Sequence, residues 1–147
     1  AHTLRALLAL AYFMPVLNSM AGNLGIQTVA LMVRGFATGE IQPDRLGVLV
    51  AREVGVASLI AAVSGALVAA VALGWQQVPL LAAITGLSMA LALLLASTVG
   101  VAIPVLLSRM GRDPAVASGP LVTSGLDLTT VTIYFTVASL LLAWIPA

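Results

Sequence analysis

The chain has 147 residues, of which 61% are hydrophobic and only 7% charged, and its formal net charge is +1. A soluble domain carries about 25% charged residues, so this composition excludes a soluble globular protein and points to an integral membrane protein. The small net charge argues against a nucleic-acid partner, and the absence of cysteine removes any disulfide framework or thiolate metal site.

A hydrocarbon core of about 30 Å needs about 20 apolar residues in a helix. Four segments meet that requirement, at 4–36, 46–73, 78–107 and 115–145. The expected fold is therefore all-α, a polytopic bundle of transmembrane helices embedded in the lipid bilayer. Membrane β-barrels need strands of about 10 alternating residues, and no such alternation is present. The first span holds Pro15 and the run PVLNSMAGNLGIQ from Pro15 to Gln27. Asn18, Asn23 and Gln27 carry amides, Ser19 and Asn23 share a face, and Gly22 and Gly25 weaken the helix beside them. Oxygen donors of this kind suit a hard cation. Amides and small residues are also common glue between membrane helices, and for Asn23 alone both readings stand.

The break ATGEIQPDR at 37–45 is polar and turn-rich. Around it Arg34, Glu40, Asp44, Arg45, Arg52 and Glu53 fit a membrane interface, with Glu53 expected to pair with Arg34 or Arg52. Gly35 and Gly39 have the small-xxx-small spacing of helix contacts. Trp75 and Trp144 fall at span ends, as an aromatic belt predicts. Pro104 is expected to bend the third span. Asp113 before Pro114 has the pattern of a helix cap.

The last span contains GPLVTSGLDLTTVTIYF, from Gly119 to Phe135. Asp127 is its lone charged side chain, near the middle of the span. A carboxylate there costs roughly 2.5–3.5 kcal/mol on insertion scales. The chain has no Lys, and its Arg residues belong near span ends. Three solutions remain: a protonated acid bonded within the bundle, an acid facing water, or an acid facing a cation. Thr123, Ser124 and Thr130 lie on the same stripe as Asp127, and Gly119 and Gly125 permit close approach of a backbone. A hydroxyl-lined acid reads as a pore or cavity wall, favoured over a structural Asp bonded across helices to Ser or Thr. Enzyme readings fare poorly. A membrane aspartyl protease needs a carboxylate pair, a serine hydrolase needs a base where the one His is His2, and no phosphate loop is present.

Arginine placement sets the expected topology. Arg34, Arg45 and Arg52 flank loop 37–45, Arg109 and Arg112 mark loop 109–114, and only Arg5 lies on the other side, which puts both loops in the cytoplasm and both termini outside. An outside N-terminus without a signal peptide predicts a helix upstream of this chain.

Two separated motifs carry a family resemblance: PVL-x3-AGN-x-G-x-Q-x5-VRG-x-ATGEI in the first span, and DPA-x2-SGPLVTS-x2-D-x6-IYF in the last. They resemble the transmembrane domain of the MgtE magnesium transporters, a family related to the animal solute-carrier 41 group, over almost the whole chain. The resemblance implies a five-helix subunit, of which residues 1–147 form the ion-transport domain and look like helices two to five. It implies a homodimer with the pore on its two-fold axis. It places the chain outside the cytoplasmic N and CBS domains that sense magnesium, in a multi-pass protein of the cell inner membrane. By the same resemblance Asp127 corresponds to the pore acid that holds the hydrated ion, and Asn23 to a pore-lining Asn at that depth. Ser19, Gly22, Gln27, Thr123, Ser124 and Gly119 are further pore-lining candidates. Gly119 and Ala21 depart from the family pattern: Gly119 stands where an Asn is common, and Ala21 where a Gly is. Ile26 replaces a residue that is often polar.

The expected function is passive Mg²⁺ transport. Mg²⁺ sheds water reluctantly, so two Asp127 carboxylates across a dimer axis would hold it with its waters in place. A broader Mn²⁺ or Co²⁺ carrier and a cation antiporter are the close alternatives. A structural or assembly subunit is the alternative from another class.

Overall fold

The computed structural model describes residues 2–41, 46–118 and 120–143. Four long helices fill it: α1 (His2–Ala37), α2 (Leu46–Gln76), α3 (Pro79–Arg109) and α4 (Pro120–Leu142). No strand occurs among the described residues. All four helices are long and apolar enough to cross a membrane. The 31 residues of α2 and of α3 extend about 46 Å at 1.5 Å per residue. That exceeds a hydrocarbon core of about 30 Å, so tilt is required.

The breaks follow local chemistry. Helix α1 ends where Gly39 takes a left-handed conformation, φ 72°, and its amide donates to the Phe36 carbonyl at 3.3 Å. The Ile41 amide then donates to the Gly35 carbonyl at 3.0 Å. This folds the Ile41 side chain onto Gly35, where an added Cβ would lie 2.5 Å from it. The Gly35–Gly39 spacing therefore serves a helix end and not a contact with another helix. Asp113 caps as its sequence position suggests, accepting from the Ala115 amide at 2.9 Å. It caps a 3-10 turn, Pro114–Ser118, and α4 starts afresh at Pro120. Proline is preorganised for a first helical position, and that separates the turn from the helix.

Helix α3 is the centre, packed against α1, α2 and α4. Two glycine crossings set the spacing. A Cβ on Gly65 of α2 would lie 2.7 Å from the Gly86 carbonyl of α3, and one on Gly86 2.8 Å from the Gly65 carbonyl. A Cβ on Gly100 of α3 would lie 2.9 Å from the Gly25 carbonyl of α1 and 2.8 Å from Thr28 Cβ. Such close backbone approach is the main packing resource inside lipid, where apolar burial drives little association. Leu17, Ile84, Met89, Leu93 and Tyr134 form the buried centre. At one end Tyr12 stacks on Trp75 at 6.0 Å between ring centroids, with Phe13 edge-on to the same ring at 6.1 Å. The outer surface of α2 is apolar, exposing Leu59, Val63, Leu67 and Val71.

Candidate ion-binding site

The antiparallel pair α1 and α4 bounds an open polar cavity of about 310 Å³. Helix α1 supplies Asn18, Ser19, Gly22, Asn23 and Ile26, and α4 supplies Thr123 and Asp127. Gly22 lies beside the acid: a Cβ there would be at ordinary contact distance, 3.8 Å, from Asp127 Oδ1. Below it Gly25 meets Leu126 and approaches the Ala96 carbonyl, 3.5 Å from an added Cβ. That contact draws α1, α3 and α4 together and holds Asp127 in register with Gly22.

The hydroxyls around Asp127 do not bind it. Thr130 is buried and donates to the Leu126 carbonyl at 2.8 Å. Thr129 donates to the Gly125 carbonyl at 2.6 Å, and Thr132 to the Leu128 carbonyl at 2.8 Å. On α1, Thr28 donates to the Leu24 carbonyl at 2.9 Å. Each of these four hydroxyls is satisfied by its own helix. Asp127 is half-buried and accepts no hydrogen bond from the described residues. Among the described residues no Ser or Thr hydroxyl bonds Asp127 across helices. The Asn18 Oδ1 is buried and also without a partner.

The cavity gathers Asp127, Asn23, Ser19, Gly22 and Thr123, all singled out in the sequence. Gln27 and Ser124 are exposed and do not line it. Thr130 shares the stripe by spacing but turns into the bundle. Gly119, Asp44, Arg45 and Trp144 lie outside the described residues. Asn18 and Ile26 are the additions. Asn18 was visible as one of three amides, but i to i+5 spacing from Asn23 gave no reason to prefer it as a wall residue. The helix is unbroken at Gly22 and Gly25, so neither frees a carbonyl; Gly25 serves close packing against Leu126. Glu53 makes no ion pair with Arg34 or Arg52 among the described residues. It lies about two turns into α2 and is half-buried.

Among the described residues no group of three or more His, Cys, Asp or Glu is placed to hold a bare metal ion. One carboxylate with neutral amide and hydroxyl oxygens is a set for an ion that keeps its own waters, because these oxygens accept hydrogen bonds and supply little charge.

Fold and cavity together define a class: a helical membrane protein whose apolar spans enclose an oxygen-lined cleft about an intramembrane acid. The family model described as a divalent cation transporter, MgtE, matches residues 14–137, and the chain belongs to that family. It is 37% identical over 136 residues to the magnesium transporter MgtE of Bacillus subtilis, covering 92% of this chain and 30% of that protein. It is 39% identical over 140 residues to the magnesium transporter MgtE of Thermus thermophilus, covering 95% of this chain and 31% of that one. The Enterococcus faecalis magnesium transporter MgtE matches at 37% over 135 residues, 92% of this chain and 30% of its own length. The chain thus spans about a third of the length of these relatives.

Proposed function

We propose that this chain is the membrane-spanning part of a magnesium transporter, passing hydrated Mg²⁺ along the Asp127 cavity at the axis of a homodimer. The observation that carries this reading is the Asp127 carboxylate: half-buried in a span, bonded to no described residue, and on a cavity lined also by Asn23, Ser19 and Thr123. An acid so placed is too costly to leave facing lipid. A divalent cation offsets that cost, and the relatives named as magnesium transporters supply the ion's identity.

The same surface supports a homodimer. Ser19, Asn23 and Gln27 are exposed on α1 and Ser124 on α4, beside the open side of the cavity. Lipid cannot satisfy that face, whereas a second copy can. Two copies set two Asp127 carboxylates against a doubly charged ion, neutral in sum. Selection then acts on hydrated size and on the placement of water acceptors. Passive entry suffices as the driving force, since an ion of charge two gains about 4.6 kcal/mol per 100 mV of inside-negative potential. The arginine-bearing connections face the cytoplasm of the cell inner membrane. The reading is transport and not enzymatic catalysis.

The test is Mg²⁺ uptake into proteoliposomes carrying the intact protein. Asp127→Ala abolishes uptake, and Asp127→Asn loses divalent binding while the protein still assembles. Uptake by Asp127→Ala at the wild-type rate would remove the acid from the ion path.

A further inference from the structure

We infer that the groove between α3 and α4 binds an acyl chain of an anionic phospholipid, whose phosphate is held at the groove mouth by Arg109 and Arg112. The inference needs only that the chain crosses a bilayer, and does not depend on the route of the ion.

The groove has a volume of about 310 Å³ and is separate from the Asp127 cavity. Its α3 wall is the row Val99, Ile103 and Leu107, one residue per turn, which extends about 12 Å along the helix. Its α4 wall is recessed at Gly125, where an added Cβ would meet nothing within 4 Å. Thr129 is the one polar side chain in the lining, and its hydroxyl already donates to the Gly125 carbonyl at 2.6 Å. No polar side chain of the groove is therefore left to satisfy, and an acyl chain matches such a surface. Leu126, 3% exposed, also lines the groove and meets Gly25 of α1. A chain in the groove thus backs the contact that seats α4 on α1.

Charge at the mouth decides the ligand. Gly111 is left-handed, φ 66°, and this lets the Arg112 amide donate back to the Leu107 carbonyl at 2.9 Å. The helix end so fixes Arg112 against a groove residue, and Arg109 follows Leu107 by two positions. Val116 of the 3-10 turn, 71% exposed, completes the lining. Arg109 and Arg112 are both exposed, and neither side chain is paired among the described residues. The adjacent acid, Asp113, is engaged by the Ala115 amide at 2.9 Å, and two arginines outweigh it. A guanidinium grips phosphate oxygens through parallel hydrogen bonds, and basic residues where a span leaves the membrane draw anionic headgroups. An apolar helix packed into the groove would cover its walls but leave both arginines without an anion. A phospholipid with a net negative headgroup satisfies walls and mouth together.

The test is native mass spectrometry of the intact protein released from vesicles of equal parts phosphatidylglycerol and phosphatidylcholine, with thermal unfolding of each variant in lipid-free detergent. The wild type retains phosphatidylglycerol in preference to phosphatidylcholine, and added glycerol 3-phosphate does not displace it, because the acyl chain carries part of the binding. The double variant Arg109→Gln, Arg112→Gln lowers that preference by about fivefold for each arginine removed, with an unchanged unfolding midpoint. Arg52→Gln, on α2 and outside the groove, keeps it. Gly125→Leu fills the groove and sheds the retained lipid, and its midpoint does not fall, since leucine is the better helix former and enters open space. Equal retention of both lipids by the wild type, or none of either, would overturn the inference, the second by showing that another part of the protein covers the groove. So would displacement by glycerol 3-phosphate, which would leave only a phosphate site. Wild-type preference in the double arginine variant, or its equal loss in Arg52→Gln, would do the same, and these arms decide the matter even where Gly125→Leu fails to fold. A folded Gly125→Leu protein that keeps its lipid would place the chain elsewhere.

Discussion

Asp127 and Thr130 lie three residues apart on one helix, and the structure gives them opposite fates. Asp127 opens to the cavity without a partner, while Thr130 is buried and bonded to the Leu126 carbonyl at 2.8 Å. The lone acid was legible in the sequence because a charge in a long apolar run has few explanations. The hydroxyls were not, since a threonine in a helix can point outward or bond back to its own turn, and spacing does not choose. Thr130→Val should therefore leave Mg²⁺ uptake near wild type and change stability by no more than about 1 kcal/mol, measured by flux and detergent unfolding together. A loss of uptake with stability intact would put the Thr130 hydroxyl on the ion path. Gly22→Ala makes the complementary case. Its new methyl sits at an ordinary contact distance of 3.8 Å from Asp127 Oδ1, so the fold accommodates it. The ion's shell loses that space, and uptake should fall by about tenfold, the worth of one displaced water contact. Unchanged flux in Gly22→Ala would show that hydrated ions do not pass between α1 and the carboxylate.

At the scale of elements, hydropathy showed the four spans, and charge and turn residues showed the breaks, because lipid imposes length and apolarity on any helix that crosses it. Which glycines hold helices together was not legible. Gly35 with Gly39 matched the contact spacing yet builds a helix end, whereas Gly65 and Gly86, on different helices, make a close α2–α3 approach. Spacing along one helix says nothing of what faces it. The expected consequence is a sharp contrast between two equal substitutions on α2. Gly65→Ala forces a methyl to 2.7 Å from a backbone carbonyl that cannot move alone, and should cost about 1–3 kcal/mol as overpacking. Gly55→Ala meets nothing within 4 Å and should be neutral or stabilising by up to about 1 kcal/mol. Unfolding of both variants in one detergent checks the pair. Equal effects would mean that the α2–α3 crossing is looser than the backbone approach indicates.

For the whole molecule, the distribution of surface chemistry is the deciding feature. The outer side of α2 shows only apolar side chains where Leu59, Val63, Leu67 and Val71 are exposed, a surface that acyl chains satisfy. The α1–α4 side instead presents Asn23 and the open cavity with Asp127, a surface that acyl chains cannot satisfy. On the proposed reading a single copy in a bilayer is incomplete on that side, and a two-fold axis along it would pair like with like. Because the chain has no cysteine, single thiols report this directly. Ile26 lines the cavity and is 45% exposed, while Leu59 is 67% exposed on the opposite kind of surface. In native membranes, Ile26→Cys should give a covalent dimer with a short homobifunctional maleimide, and Leu59→Cys should remain monomeric under the same treatment. Mg²⁺ should slow the Ile26→Cys reaction, because the ion and its shell occupy the space between the two thiols. Cross-linking through Leu59→Cys in place of Ile26→Cys would move the axis to α2, leaving each Asp127 without a twin and the ion with half the charge needed to neutralise it.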